Sequence, residues 1–199
     1  MAKSALVCLN LINDFIDPKG KLAEDYAAFA AKHETLQRIR RLQDHFREQG
    51  HLVIHSRLCF SPDYWEHPGE GSALFAPVLE KEALKLGDWG TEFLEETAPD
   101  GREPVLNQHR ISAFYRTRLG IILRTQEIEN LFIAGLGLNM SVENTAREAH
   151  DRDYHVTIVD DGCVAHTDKT HDASLESLKE FAVMRDTSDI LLKLALENR

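Results

Sequence analysis

The stretch from residue 130 to residue 162 constrains the fold more than any other part of the chain. It opens with a short apolar run, 131–134, of the kind that forms a strand covered on both faces. Gly135 and Gly137 follow, and glycine permits turn conformations that are closed to other residues. Apolar residues then recur at helical spacing from Ser141 onward, and strand character returns near the end of the stretch. This pattern predicts a βαβ unit with a ligand-sized gap at its turn, where Ser141 would meet the ligand.

The rest of the chain alternates strands and helices in the same way. Strands are predicted at 5–10, 51–57, 104–108, 131–134, 154–159 and 182–185, and helices at 29–49, 74–81, 115–126, from 141, at 169–179 and at 188–196. This alternation predicts a three-layer α/β/α fold with a six-stranded, mostly parallel, doubly wound sheet. The length of 199 residues and the 43% hydrophobic content suit a single domain over 1–199.

Charge and composition exclude several classes of function. A formal net charge of −10 and the lack of a basic cluster argue against nucleic-acid binding. The sequence has no apolar run of membrane-spanning length and no signal peptide, so we expect no membrane association and a cytoplasmic location. The chain has three cysteines without metal-ligand spacing, Cys8, Cys59 and Cys163, and they are expected to be free thiols. The histidines form no metal-binding motif either, so we expect no metal and no cofactor.

Polar residues are concentrated where the predicted strands end. In a parallel sheet the C-terminal ends of the strands line one crevice, which is where ligands bind. The residues expected to meet there are Asn10, Asn13, Asp14, His55, Arg57, Gln108, Arg110, Gly137, Leu138 and Ser141. Arg57 could bind a carboxylate bidentately, or His55 and Arg57 could instead form surface ion pairs. The long irregular segment 58–101 would contribute specificity.

Three segments, in order along the chain, resemble a known family. ALVCLNLINDF is similar to an opening strand that usually reads ALVVIDMQNDF. PVLNQHRISAFYRTRLGIIL resembles a stretch that usually contains K-H-R-x-S-A-F, and LFIAGLGLNMSVENTAREAHDRDYHVTIVDDGC resembles G-x-x-T-N-x-C-V-x-x-T-A-R-x-A. By these motifs nearly the whole chain resembles the isochorismatase-like hydrolases, which include nicotinamidases and N-carbamoylsarcosine amidohydrolases. The resemblance implies the same α/β fold, a small-molecule ligand and assembly into a homo-oligomer.

The resemblance also places the family's catalytic Asp, Lys and Cys at Asn10, Gln108 and Ser141. A serine hydroxyl is a much weaker acid than a thiol and needs a general base, yet Asn10 cannot accept a proton and Gln108 carries no charge. Amide hydrolysis through a thioester is therefore not expected. Each substitution nevertheless keeps size and hydrogen-bonding capacity, so a polar cavity is expected to survive.

Two functional hypotheses follow. The first is a pseudoenzyme that binds a small carboxylate or amide metabolite at the C-terminal ends of the strands. The alternative is an active hydrolase of a small amide, ester or vinyl ether, which uses Ser141 with His55 as base, or a water activated by Asp14. The resemblance further implies a non-proline cis peptide near Gly137 and Leu138, beside an oxyanion-binding turn. His166 and His171 are interpreted as structural.

Overall fold

The sheet has the predicted architecture. The structure, a computed structural model, describes residues 3–69 and 71–197. The strands are β1 Lys3–Leu9, β2 Leu52–Leu58, β3 Val105–Gln108, β4 Ile128–Leu136, β5 His155–Val164 and β6 Val183–Arg185. They form one sheet in the order β3-β2-β1-β4-β5-β6, and all neighbouring pairs are parallel. The prediction of a six-stranded, doubly wound α/β sheet is confirmed.

Helices cover both faces of this sheet. Their bounds are α1 Asn13–Ile16, α2 Glu24–Lys32, α3 Thr35–Glu48, α4 Ala76–Glu80, α5 Leu119–Thr125, α6 Glu143–His150, α7 Asp168–Leu178 and α8 Thr187–Glu197. The larger apolar cluster takes side chains from α2, α5, α6 and α7, and it covers the face that carries Ile54 and Leu58. We call this the cavity face. The smaller cluster, from α3 and α8, covers the opposite face, which carries Leu6 and Cys8.

The single helix predicted over 29–49 is wrong, because the chain forms two helices there. α2 ends at Lys32, and α3 begins at Thr35 after Glu34, which takes a left-handed φ of 51°. The two helices bury their apolar residues against different faces of the sheet, Phe29 in the larger cluster and Phe46 in the smaller one. Apolar residues at helical spacing on both sides of the break hide this change of face from a reading of the periodicity.

Smaller departures concern the limits of elements. The helix predicted from 115 begins at Leu119, after a turn in which Arg116 has a positive φ of 53°. The strand predicted at 154–159 continues to Val164, because β5 also pairs with the end of β4. In the described part of the chain, no helix combines the length and apolar character needed to cross a membrane. A cytoplasmic location and homo-oligomeric assembly remain predictions.

Candidate functional site

Strand β2 distributes its polar residues between the two faces of the sheet. Side chains alternate along a strand, so Ser56 lies on the cavity face with Leu58, while His55 and Arg57 lie on the opposite face. The register agrees with this, since His55 pairs with Cys8, which belongs to the smaller cluster. Two of the predicted ligand-binding residues are thereby directed away from the cavity.

Asn10 joins strand β1 to the turn that carries Ser141. The residue has a left-handed φ of 57° and is almost fully buried. Its Oδ1 accepts a hydrogen bond of 2.8 Å from the backbone N–H of Leu58, and its Nδ2 donates one of 3.0 Å to Ser141 Oγ. A backbone N–H can only donate, so the Leu58 contact fixes which amide atom faces Ser141. Ser141 Oγ is therefore an acceptor toward Asn10, and its own proton is available to another group.

Ser141 lies in a wide π turn, Leu138–Val142, that leads into α6. Gly137 starts this turn with a φ of 81°, and its carbonyl oxygen accepts hydrogen bonds from the N–H groups of Met140 and Val142. Leu138 is fully buried in the larger cluster and contributes packing. The cis peptide expected near Gly137 and Leu138 is not found, since all peptide bonds of the described residues are trans.

Gln108 ends β3 next to Leu58, its partner in the parallel register. It is fully buried, and its Oε1 accepts a hydrogen bond of 2.5 Å from Ser56 Oγ. Its Nε2 makes no hydrogen bond. The three positions where the resemblance places the triad thus hold neutral groups at the strand ends: Asn10 bonds Ser141 directly, and Gln108 bonds the neighbouring Ser56.

A cavity of about 270 Å³ opens above Asn10 and Ser141. Its walls are apolar and come from the segment after β1, from the α4 segment and from the strand ends: Phe15, Leu22, Leu58, Leu74, Phe75, Pro77, Val78, Leu84, Ile111, Leu136 and Met140. We call Asn10 and Ser141 the floor. We call the exposed charged and imidazole side chains that also line the cavity the mouth, namely Glu24, Asp25, Lys81 and His166.

Two polar pairs shape the mouth. Lys81 Nζ lies 3.0 Å from Glu24 Oε1, which connects the residue after α4 to the start of α2. His166 Nδ1 lies 4.0 Å from Asp25 Oδ2, and the imidazole stacks on Tyr26 with ring centroids 3.9 Å apart. Neither pair was predicted from the sequence, where His166 was interpreted as structural. No local pattern could have identified it, because its neighbours come from α2, more than 130 residues earlier in the chain.

Asp14 does not line the cavity. Its carboxylate is buried and accepts hydrogen bonds from the backbone N–H groups of Leu84, at 2.7 Å, and Lys21, at 3.2 Å. A Cβ added at Gly90 would lie 2.3 Å from the Asp14 carboxyl group, so glycine is required there. Asp14 therefore holds together the loops around the site, and the alternative in which it activates a water to attack the substrate has no support.

The predicted binding residues His55, Arg57 and Arg110 also lie elsewhere. His55 Nε2 lies 2.9 Å from Glu103 Oε2, and Arg47 Nε donates to the same carboxylate at 2.8 Å. Burial by itself would raise the pKa of Glu103, but hydrogen bonds from Arg47, His55 and the Asp100 N–H outweigh it and lower the pKa to about 2.

Both arginines bind backbone or amide oxygens instead of facing the cavity. Arg57 donates to Asn107 Oδ1 at 2.9 Å and to the Thr91 carbonyl at 3.1 Å. Arg110 donates to the Glu66 carbonyl at 2.8 Å. Neither arginine lines the cavity, so neither is placed to bind a carboxylate there.

None of the three cysteines is exposed as an accessible nucleophile. All are buried, and burial raises the pKa of Cys8 to about 12 and that of Cys59 to about 11; it raises the pKa of Cys163 as well. Over 3–69 and 71–197, no group of three or more His, Cys, Asp or Glu side chains is arranged to hold a metal ion.

Comparison with known proteins gives one consistent result. The Isochorismatase domain family model matches residues 4–189. The chain is 28% identical over 193 residues to the ureidoacrylate amidohydrolase RutB of Acinetobacter baylyi, covering 90% of this chain and 78% of that protein. It is also similar in structure to N-carbamoylsarcosine amidase from Thermoplasma acidophilum, with a TM-score of 0.74, 27% identity and 93% and 96% of the two chains covered.

An isochorismatase family protein from Desulfovibrio vulgaris subsp. vulgaris str. Hildenborough shares the fold with a TM-score of 0.86. Its identity to this chain is 24%, and the alignment covers 98% of this chain and 100% of that one.

Proposed function

The chain belongs to the isochorismatase family, and from this premise we propose that it is a non-catalytic member that binds a small neutral molecule, such as an amide, through a carbonyl oxygen. The observation that carries the proposal is the hydrogen bond from Asn10 Nδ2 to Ser141 Oγ, in an orientation that the Leu58 N–H fixes. The group next to the serine is a donor, where a nucleophile would need an acceptor for its proton.

The rest of the cavity supplies no base in contact with Ser141. Asn10 is the hydrogen-bond partner of Ser141 Oγ, and no carboxylate, imidazole or amine of the described residues hydrogen-bonds it. Removal of triad members in other hydrolases costs on the order of 10³ to 10⁶ in rate. Loss of the acid, the cation and the thiol together is therefore expected to leave no useful turnover.

The same arrangement suits binding. With its oxygen occupied by Asn10, Ser141 can donate its hydroxyl proton to a ligand, and an acceptor such as a carbonyl oxygen fits that donor. A carboxylate would bring a charge to a floor of neutral groups with apolar walls, and it would lose hydration without a cation in return. The sequence also predicted a carboxylate ligand, which Arg57 would bind. Arg57 does not line the cavity, so a carboxylate ligand has no support there. A neutral amide keeps the hydrogen bond without that cost.

The test compares wild-type protein with Ser141→Ala on small amides, carbamoyl compounds, esters and isochorismate. We expect no release of ammonia or other product from either protein, while an amide raises the melting temperature of the wild type more than that of Ser141→Ala. Turnover by the wild type that disappears in Ser141→Ala would contradict the proposal.

A second candidate is a serine hydrolase with His166, not His55, as the base. It is favoured by one observation: Ser141, His166 and Asp25 line the same cavity, and Asp25 Oδ2 lies 4.0 Å from His166 Nδ1. A hydroxyl, an imidazole and a carboxylate are the groups of a Ser-His-Asp triad, but His166 makes no hydrogen bond to Ser141 here. Turnover lost in both Ser141→Ala and His166→Ala would establish this candidate.

A further inference from the structure

We propose that His166 is a specificity-determining residue, which selects ligands with an apolar body, a carbonyl group at one end and a hydrogen-bond donor at the other. The carbonyl would meet Ser141 on the floor, and the donor would meet His166 Nε2 at the mouth. This inference rests on the proposed function, because it assigns the ligand class of the same cavity.

The apolar walls of the cavity indicate the chemistry of the central part of the ligand. Apart from the floor, Tyr26 and the mouth, the lining consists of Leu, Ile, Val, Phe, Pro and Met side chains. A polar group held against such walls would lose its hydration without a partner, so the body of the ligand should be apolar. The volume of about 270 Å³ exceeds the roughly 150 Å³ that accommodates benzene in an engineered apolar cavity. One ring with two small substituents therefore fits.

The surroundings of His166 determine what its imidazole offers. The ring is held on one side by Tyr26, which is itself buried, and Asp25 Oδ2 lies 4.0 Å from Nδ1. Asp25 is the carboxylate on the Nδ1 side of the ring, so in the neutral imidazole a proton on Nδ1 leaves Nε2 as an acceptor. Lys81 does not compete for this role, because its ammonium group is paired with Glu24 at 3.0 Å. The mouth therefore presents an acceptor opposite the donor on the floor.

Recognition at two points separates this cavity from a general apolar pocket. The floor alone would bind any small neutral carbonyl compound, whereas His166 should add affinity only for ligands that carry a distal hydroxyl or N–H. One hydrogen bond of this kind changes a dissociation constant by about 2- to 10-fold. The effect depends on one atom of the ligand and one atom of the protein, so it can be isolated.

The experiment measures binding of benzamide, 3-hydroxybenzamide and 4-hydroxybenzamide by calorimetry to the wild type and to His166→Phe. Phenylalanine keeps a ring that can stack on Tyr26 and removes Nε2. We expect at least one hydroxybenzamide to bind the wild type about 2- to 10-fold more tightly than benzamide does. In His166→Phe that ratio should fall to about one, because the acceptor for the ring hydroxyl is gone.

Three results would overturn the inference: equal binding of all three compounds to the wild type, a ratio that survives in His166→Phe, or no binding of any of them at millimolar concentration. Ammonia release is followed in the same samples. Hydrolysis would refute the non-catalytic function while the ratio still tests His166, so the two failures can be told apart. Arg57→Ala, changed on the opposite face, is the matched control and should keep the wild-type ratio.

Discussion

The two faces of the sheet carry polar groups of opposite kinds. On the cavity face, Asn10, Ser56, Gln108 and Ser141 are all neutral and bond one another in pairs. On the opposite face, the Glu103 carboxylate lies against Arg47 and His55, and Arg57 lies over the Phe93 ring, which also contacts His55. The resemblance to the family would place an Asp and a Lys on the cavity face. In this chain the buried charged cluster is on the face opposite the cavity above Asn10 and Ser141.

This difference indicates that the charged cluster contributes to stability, whereas the neutral residues form the ligand-binding face. A buried charge is tolerated only with a partner, so the cluster around Glu103 fixes the packing of α3 and cannot be altered singly. Neutral amides and hydroxyls satisfy one another without charge balance, so Asn10, Ser56, Gln108 and Ser141 can remain buried with no charged group among them. The following substitutions test the comparison, in order of expected effect.

Glu103→Ala should have the largest effect. It leaves Arg47 and the fully buried His55 without their carboxylate, and breaking a buried pair in this way costs about 3 to 5 kcal/mol. Urea unfolding at neutral pH measures the loss, with the exposed Glu180→Ala as control. A change below about 1 kcal/mol would show that this face does not depend on its charges.

The Glu103 carboxylate also predicts that the stability of the protein decreases in acid. The pKa of Glu103 is lowered from 4.5 to about 2, so its contribution is complete above pH 4.5 and is lost as the pH falls toward 2. Glu103→Ala should lack this part of the acid destabilisation.

Asn10→Asp should have the next largest effect, because it introduces a charge on the neutral face. Asn10 is almost fully buried, so the new carboxyl should have a raised pKa and cost about 2 to 4 kcal/mol at neutral pH. A raised pKa means that the loss is small in acid, below the ordinary range of an aspartate, and grows as the pH rises. Denaturant unfolding across this range measures it.

Adding Gln108→Lys to Asn10→Asp should recover part of the loss, since the resemblance places the family's cation at that position. A single Asn10→Asp protein as stable as the wild type at neutral pH would contradict the account of a face that needs no charge balance.

Ser56→Ala should cost less, about 1 to 2 kcal/mol. It removes the donor to Gln108 Oε1 and leaves a buried amide whose Nε2 already lacks a partner. Thermal unfolding, with exposed Ser188→Ala as control, gives the comparison between a neutral pair and the ionic cluster. A loss as large as that of Glu103→Ala would remove the proposed contrast between the faces.

Arg57→Ala should have the smallest effect, below about 1 kcal/mol in stability. Its hydrogen bonds go to an amide oxygen and a backbone carbonyl, and it lies on the face without the cavity. Benzamide affinity, measured by calorimetry, should equal that of the wild type. Weaker binding of benzamide to Arg57→Ala would show that Arg57 contributes to the ligand-binding site.

Local pattern predicted the architecture well. The six strands and their parallel arrangement follow from alternation of apolar runs with amphipathic segments. A single helix was wrongly predicted over 29–49 because periodicity shows only that apolar residues lie on one side of a helix. It does not show which face of the sheet that side will contact. Only the packing of Phe29 and Phe46 against opposite faces of the sheet explains the break near Glu34.

The site was predictable in part. Asn10 and Ser141 were identified by their place at strand ends, and the structure brings them to 3.0 Å. His55 and Arg57 were placed in the same crevice because they too are polar residues near the end of a strand. Alternation along β2 puts them on the face opposite Leu58, and no local signal states which of the two faces will carry the cavity.

The sequence by itself determined the order of elements and the neutral residues at the triad-equivalent positions, because periodicity and motifs are properties of neighbouring residues. Only the tertiary structure decided which face of the sheet holds the cavity, and how Asn10 is oriented, since that depends on the backbone N–H of Leu58. It also brought His166 next to Tyr26 and Asp25. Contacts between residues far apart in the chain form only when separate layers pack, so they leave no pattern in the sequence.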